Sequence, residues 1–145
     1  MPRPLTAALA LPLADVFQED IVRETNAFIF EHKLKEDYDI RQKIKQLGSD
    51  AFRDEYNIPE DVVRSVGREM KDIYQEDITR RTNAFILEHK LKEDYDMRKK
   101  IRQLDYRDFA KDYNIPYDVA ESIRKQMNDV LQEDIAREAK EFILE

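Results

Sequence analysis

Apolar residues recur along most of this chain with the spacing of one face of an α-helix. Between residues 59 and 104 they are separated mainly by steps of three, four and seven, with one step of five and two of six. Such spacing forms a helical stripe but not a strict heptad, so it favours packed helices over a pure coiled coil. Helix breakers are rare, with 5 prolines and 2 glycines in the chain. The pattern predicts an all-α fold.

The few breakers predict where the helices end. A first helical stretch is expected from Pro12 to about Leu47, where Gly48 and Ser49 interrupt it. Residues 50–56 are expected to form two short turns before the next break at 57–59.

A long helix is expected after this corner. Pro59 suits the first position of a helix, and no further proline occurs before Pro116. The stretch 59–104 is therefore predicted to be one helix of about 46 residues, or about 70 Å. A bend at 75–82 or at 94–96 is the alternative. Residues 105–108 are expected to form a helix cap before the short element that follows. Each repeat would then hold one long and one short helix.

The chain also repeats itself with a shift of 57 residues. Residues 16–72 align with 73–129, and 34 of the 57 positions are identical. A fixed period of this kind predicts a tandem helical repeat in an elongated array, in which each repeat packs mainly on its neighbours. The predicted organisation is an N-terminal arm at 1–15, two repeats, and a partial third repeat or capping helix at 130–145.

Composition narrows the class of function. The chain has no cysteine, which excludes thiol enzymes and thiolate metal sites, and its net charge is −7. An acidic total disfavours broad binding to nucleic-acid phosphates. No apolar run reaches the roughly 18 residues of a membrane helix. No phosphate-binding loop or serine–histidine–aspartate set is evident, so we expect no enzyme activity and no cofactor.

The N-terminal residues bear on where the protein resides. Residues 1–14 contain one arginine near their start, followed by a mostly apolar stretch. This order weakly resembles that of a targeting segment. Two prolines interrupt that outline, so we expect a cytoplasmic protein, with the targeting segment as the alternative.

One polar segment is identical in both repeats. The sequence EHKLKEDYD occupies residues 31–39 and again 88–96. Core packing would preserve the apolar positions and leave the polar ones free to change. Either the duplication is recent, or this segment binds the same partner in each repeat, with a gain in avidity from linkage. The second explanation predicts a polar helical face that binds a protein partner or a second copy of the chain. Its residues are Glu31, His32, Lys33, Lys35, Glu36 and Asp39, with Glu88, His89, Lys90, Lys92, Glu93 and Asp96.

The same segment raises a metal-binding alternative. Glu36 follows His32 by four residues, so both would lie on one face of a helix. A di-iron carboxylate site requires Glu three residues before each His, but Ile29 and Ile86 occupy those positions. We therefore expect a histidine beside a carboxylate, and we assign no metal ligand.

A basic run follows the second copy of this segment. Arg98, Lys99, Lys100 and Arg102 could together bind phosphate or anionic lipid. Asp94 precedes Arg98 by four residues in the favourable order for an intrahelical ion pair, which we expect instead.

A second alternative concerns residues 108–125. This segment has a small residue, a turn residue and two apolar residues at Ala110, Asn114, Val119 and Ile123. It resembles a DNA-binding helix-turn-helix, which implies a nucleic-acid-binding module. The first repeat departs from the pattern, with Arg53 in the place of Ala110. The implied reading helix carries Asp118 and Glu121 near its start, where carboxylates would repel phosphates. We therefore expect no nucleic-acid partner.

Overall fold

A computed structural model of the chain describes residues 13–144, with side chains from residue 16 onward. This part of the chain is all-helical and contains no strand, which confirms the all-α part of the predicted fold class. Residues 1–12, which hold most of the expected N-terminal arm and targeting segment, lie outside the described residues. The helices are α1 (Leu13–Glu31), α2 (Tyr38–Gln46), α3 (Ser49–Tyr56), α4 (Glu60–Glu69), α5 (Lys71–Glu88), α6 (Tyr95–Gln103), α7 (Tyr106–Asp112), α8 (Tyr117–Gln126) and α9 (Asn128–Leu144).

The predicted 46-residue helix is wrong, because the chain is broken twice within it. The first break is at Met70, between α4 and α5. The second follows α5, where Lys90 adopts a left-handed φ of 50°. There the Leu91 N–H bonds back to the Ile86 carbonyl at 3.0 Å, and the Lys90 N–H bonds to Leu87 at 3.2 Å. These two bonds form a Schellman motif, which ends a helix by satisfying its last carbonyls.

The first helical stretch is broken in the same way. Lys33 has φ 52°, and the Leu34 N–H bonds to the Ile29 carbonyl at 3.0 Å. Four helices therefore lie between residues 13 and 69, and the prediction of one long and one short helix per repeat is wrong. Glycine is the residue that normally marks such a helix end, and here lysine takes its place.

The short helices follow more closely from local sequence. Residues 49–56 form the helix α3 and not two separate turns. The cap predicted within residues 105–108 is formed by Asp105, whose side chain accepts a hydrogen bond from the Asp108 N–H at 2.8 Å. Asp37 and Asp94 cap α2 and α6 by accepting from the N–H groups of Ile40 and Met97.

The chain divides into two compact units, one ending at Tyr74 and the other beginning at Gln75. In the first unit, α4 packs against both α1 and α3. Phe28 is central to its core, with the Phe52 ring centroid at 5.6 Å and the Tyr56 ring edge-on at 5.4 Å. The other buried members of this core are Ile29, Leu34, Ile44, Val62, Val63, Val66 and Met70.

The second unit has its own apolar core. Here α8 packs against α7, and α9 packs against α6 and α8. Phe109 is fully buried and lies 5.6 Å from the Phe85 ring. The other buried members are Ile86, Leu91, Ile101, Val119, Ala120, Ile123, Met127 and Leu131.

Candidate functional site

The repeated polar segment forms a helix end, a turn and the start of the next helix. In the first unit, Glu31 is the last residue of α1 and Asp39 lies in the first turn of α2. In the second unit, Glu88 ends α5 and Asp96 lies in the first turn of α6. The expected single polar helical face is therefore wrong in its geometry. We call residues 31–39 and 88–96 the helix-end turns.

Most of the predicted partner-binding side chains lie on the surface of their own unit. Two of the twelve, His32 and His89, are half-buried. The ten exposed residues are Glu31, Lys33, Lys35, Glu36, Asp39, Glu88, Lys90, Lys92, Glu93 and Asp96. Ten charged side chains are thus available for contact with another molecule.

The two histidines belong to the aromatic packing of their units. His32 Nδ1 lies 3.0 Å from the Phe28 carbonyl, to which it can donate, and the His32 ring stacks on Phe28 at 4.2 Å. His89 lies 4.1 Å from the Phe85 ring. Because α1 ends at Glu31, His32 and Glu36 do not share a helix face. Among the described residues, no group of three or more His, Cys, Asp and Glu could hold a metal ion.

An exposed apolar residue lies beside each helix-end turn. Phe30 is 84% exposed, and its counterpart Leu87 is 79% exposed. This is the only position that differs between residues 25–39 and 82–96. A signal for it was present in the sequence: three successive apolar residues, such as 28–30, cannot all face the same core from one helix. Sequence reasoning missed it because it treated apolar residues as core.

A shallow cleft adjoins the first of these turns. Its volume is about 250 Å³. It is lined by Asn26, Ile29, Phe30, Lys35, Glu36 and Glu69. The cleft therefore combines an exposed aromatic ring with charges of both signs.

The basic run does not form one surface patch, because Arg98 is buried whereas Lys99 and Lys100 are exposed. Arg98 is buried, and its partner is Asp134 on α9 instead of the predicted Asp94. Arg98 Nε donates to Asp134 Oδ2 at 2.7 Å, and Arg98 Nη2 donates to Oδ1 at 3.1 Å. Arg98 Nη1 also donates to the Leu91 carbonyl at 2.9 Å, so this side chain joins α6, the second helix-end turn and α9.

This pairing changes the acid–base properties of both groups. The hydrogen bonds from Arg98 hold the pKa of Asp134 below its ordinary value, although burial opposes that shift. The same bonds raise the pKa of Arg98. Arg102 is paired too, with Glu138 at 2.7 Å, which leaves Lys99 and Lys100 as the exposed cations of the run. No local sequence pattern indicates the Arg98–Asp134 pair, because its members lie 36 residues apart.

The segment that resembles a helix-turn-helix does consist of two helices and a turn. α7 and α8 are joined through Asn114, which has φ 52°. Val119 and Ile123 are buried in the core of the second unit, as the resemblance implies. At the exposed start of α8, Tyr117 is 55% exposed. The nearby Glu121 is placed 3.6 Å from Lys125.

Comparison with known proteins gives no family for this chain. No protein-family model matches it, and neither a curated protein nor a solved structure matches it. Within residues 13–144, none of the helices combines the length and apolar character needed to cross a membrane. The contacts, exposure and charges of its own residues are therefore the basis for assigning a function.

Proposed function

We propose that this chain is a non-enzymatic tandem helical-repeat protein that binds a protein partner, with one helix-end turn and its adjacent apolar residue per repeat. The observation that carries the proposal is the exposure of Phe30 and Leu87 beside identical charged turns. Protein interfaces commonly place a large apolar or aromatic residue at the centre of a polar rim. Each repeat offers that combination.

Intrachain packing accounts for only part of the identity between the two turns. Leu34 is fully buried, Asp37 caps α2, and His32 stacks on Phe28. These roles explain why those residue types recur.

The exposed charges have no such role. Within residues 16–144, no ion pair and no side-chain hydrogen bond involves Lys33, Lys35 or Glu36. Within that part of the chain, the side chains of Lys90, Lys92 and Glu93 likewise form no ion pair and no hydrogen bond, although the Lys92 carbonyl accepts from Arg98. Contact with a partner would explain why these charges are the same in both repeats.

Equivalent positions make equivalent local contacts, which supports a tandem repeat. Both helix-end turns contain a left-handed lysine, a buried leucine and a capping aspartate. Two copies of one binding surface on a single chain would raise avidity through effective concentration, provided that the partner can reach both. The partner is a protein with an apolar pocket bordered by charges of both signs. In the case of self-association, that partner is a second copy of the chain.

The test compares partner capture by variants of the full chain. The wild-type chain, Phe30→Ser/Leu87→Ser and two controls are immobilised and exposed to source extract, with and without nuclease treatment. Bound proteins are quantified by mass spectrometry. Phe30→Leu introduces the residue of the second repeat, and Val22→Thr introduces the residue that stands at the equivalent position 79. Circular dichroism verifies that each variant is folded.

We expect one protein, or the endogenous copy of the chain, to bind the wild type and both controls. The double serine variant should capture at least about tenfold less of that protein, because anchor residues of interfaces contribute about 2 kcal/mol or more. Equal capture by all four chains would contradict the proposal. Capture that disappears on nuclease treatment would instead favour the nucleic-acid alternative based on residues 108–125.

A further inference from the structure

A cleft in the second unit combines several cationic and amide side chains. It lies among α6, α7, α8 and α9 and has a volume of about 340 Å³. Its polar lining consists of Arg102, Tyr106, Arg124, Lys125, Asn128 and Gln132. Small-molecule sites are commonly clefts of about 300 Å³ or more with a few convergent polar groups. The cleft is distinct from the helix-end turns on which the proposed function depends.

Arg124 has an unusual set of partners for a guanidinium in an acidic protein. Its Nη2 donates to the Ile101 carbonyl at 2.7 Å, and its guanidinium carbon lies 4.7 Å from the centre of the Tyr106 ring. Within residues 16–144, Arg124 forms no ion pair, and its buried Nε has no hydrogen-bond partner. Buried donors normally have an acceptor, and no protein group within residues 16–144 supplies one to this N–H.

The neighbouring cations are only partly neutralised. Arg102 is paired with Glu138 through Nη2, but its buried Nη1 has no hydrogen-bond partner among the described residues. Lys125 is exposed and lies 3.6 Å from Glu121. Two carboxylates therefore accompany three cations around the cleft.

The first repeat lacks this set of residues. Lys45 stands at the position of Arg102, Ser49 at that of Tyr106, and Gly67 at that of Arg124. The two guanidinium groups and the tyrosine ring thus occur together only in the second repeat.

We propose that this cleft binds a compact oxyanion of the phosphate or carboxylate class. Arginine presents several N–H donors in a planar fork that matches both groups. The oxyanion would accept from the Arg124 and Arg102 guanidinium groups, with Lys125 and the two amides at the mouth of the cleft. Phosphate and carboxylate share this chemistry, and the experiment distinguishes them.

The test titrates the full chain with inorganic phosphate at constant ionic strength and follows the arginine Nε–H resonances by NMR. Acetate and chloride form parallel titrations. The variant is Arg124→Gln, and the matched control is Arg68→Gln, which removes the same charge from the first unit. Lys125→Gln is a second variant at an exposed position, so loss of the fold is not expected to obscure its result.

In the wild type and in Arg68→Gln, we expect added phosphate or acetate to change the chemical shifts of the Arg124 and Arg102 Nε–H resonances in a saturable manner. Arg124→Gln should weaken binding at least tenfold, and Lys125→Gln several-fold. A response to phosphate alone would identify the ligand as a phosphate. A response to acetate as well would show that the cleft accepts both phosphates and carboxylates. The proposal is overturned if no saturable shift occurs, if chloride shifts the same resonances equally, or if the Lys125→Gln and Arg68→Gln chains bind alike.

Discussion

Replacing Asp134 with asparagine is expected to destabilise the second unit by about 3 kcal/mol, because the substitution breaks a buried ion pair. The Asp134 side chain is 2% exposed and that of Arg98 is 8% exposed. Asparagine preserves the shape of the side chain but removes its negative charge. One of its terminal groups is an NH₂, which cannot accept from the guanidinium.

The magnitude follows from what Arg98 loses and what it keeps. Breaking a buried pair by removing one partner costs about 3–5 kcal/mol. Asparagine retains one acceptor oxygen, and Arg98 keeps its bonds to the Leu91 and Lys92 carbonyls at 2.9 and 3.2 Å. These remaining acceptors favour the lower end of that range. The loss is still a large share of the 5–15 kcal/mol that is typical of a folded protein.

The assay is urea unfolding followed by circular dichroism at 222 nm. The matched control is Asp61→Asn, because Asp61 and Arg64 also form a short ion pair, at 2.6 Å, but their side chains are 59% and 62% exposed. Exposed pairs contribute at most about 1 kcal/mol. If the two units unfold in separate transitions, the transition of the second unit is the one expected to shift in Asp134→Asn.

The pH dependence provides an independent check. The folded-state pKa of Asp134 is lowered by Arg98, so its stabilisation is present above the unfolded value of about 3.9. It is lost as the pH falls through the lower, folded-state pKa. The difference between wild type and Asp134→Asn should be constant from about pH 5 to 7 and shrink below about pH 4. Equal losses in Asp134→Asn and Asp61→Asn, or a difference unchanged at low pH, would refute the reasoning.

Two further stability predictions follow from helix positions and use the same unfolding assay. Gly67→Ala should stabilise the chain by about 0.5–1 kcal/mol, since Gly67 lies inside α4 and an added Cβ would meet nothing within 4 Å; a loss of stability would contradict it. Asp105→Ala should cost about 1 kcal/mol by removing the cap on the Asp108 N–H, whereas Gly48→Ala should cost less, because Gly48 caps α3 without a side-chain hydrogen bond. Equal losses at these two positions would show that the carboxylate cap contributes nothing.

The all-α fold and several local features could be predicted from the sequence because they depend on neighbouring residues. Apolar spacing indicates helices, and a cap within residues 105–108 could be predicted because capping requires only a short polar side chain before a helix. The 57-residue period is likewise a property of the sequence itself. Such signals act over a few residues and need no knowledge of what packs against them.

The helix ends at Lys33 and Lys90 depended on tertiary packing. Left-handed lysine carries no compositional signal, and what accompanies it is the burial of the next residue, Leu34 or Leu91, in the core of its unit. Propensity alone would continue the helix through these positions, because lysine is a good helix former. Burial of leucine therefore outweighs local preference there, which is why the predicted long helix was wrong.

The candidate sites show the same division. The identity of the two polar segments was visible in the sequence, but the exposure of Phe30 and Leu87 beside them was decided by which helix face the core covers. The partner of Arg98 was decided by packing too, because residues 98 and 134 meet only when α9 lies against α6. Sequence specifies the residue types and their periodicity, whereas the tertiary structure decides which side chains lose water and which charges meet, because both depend on residues distant in the chain.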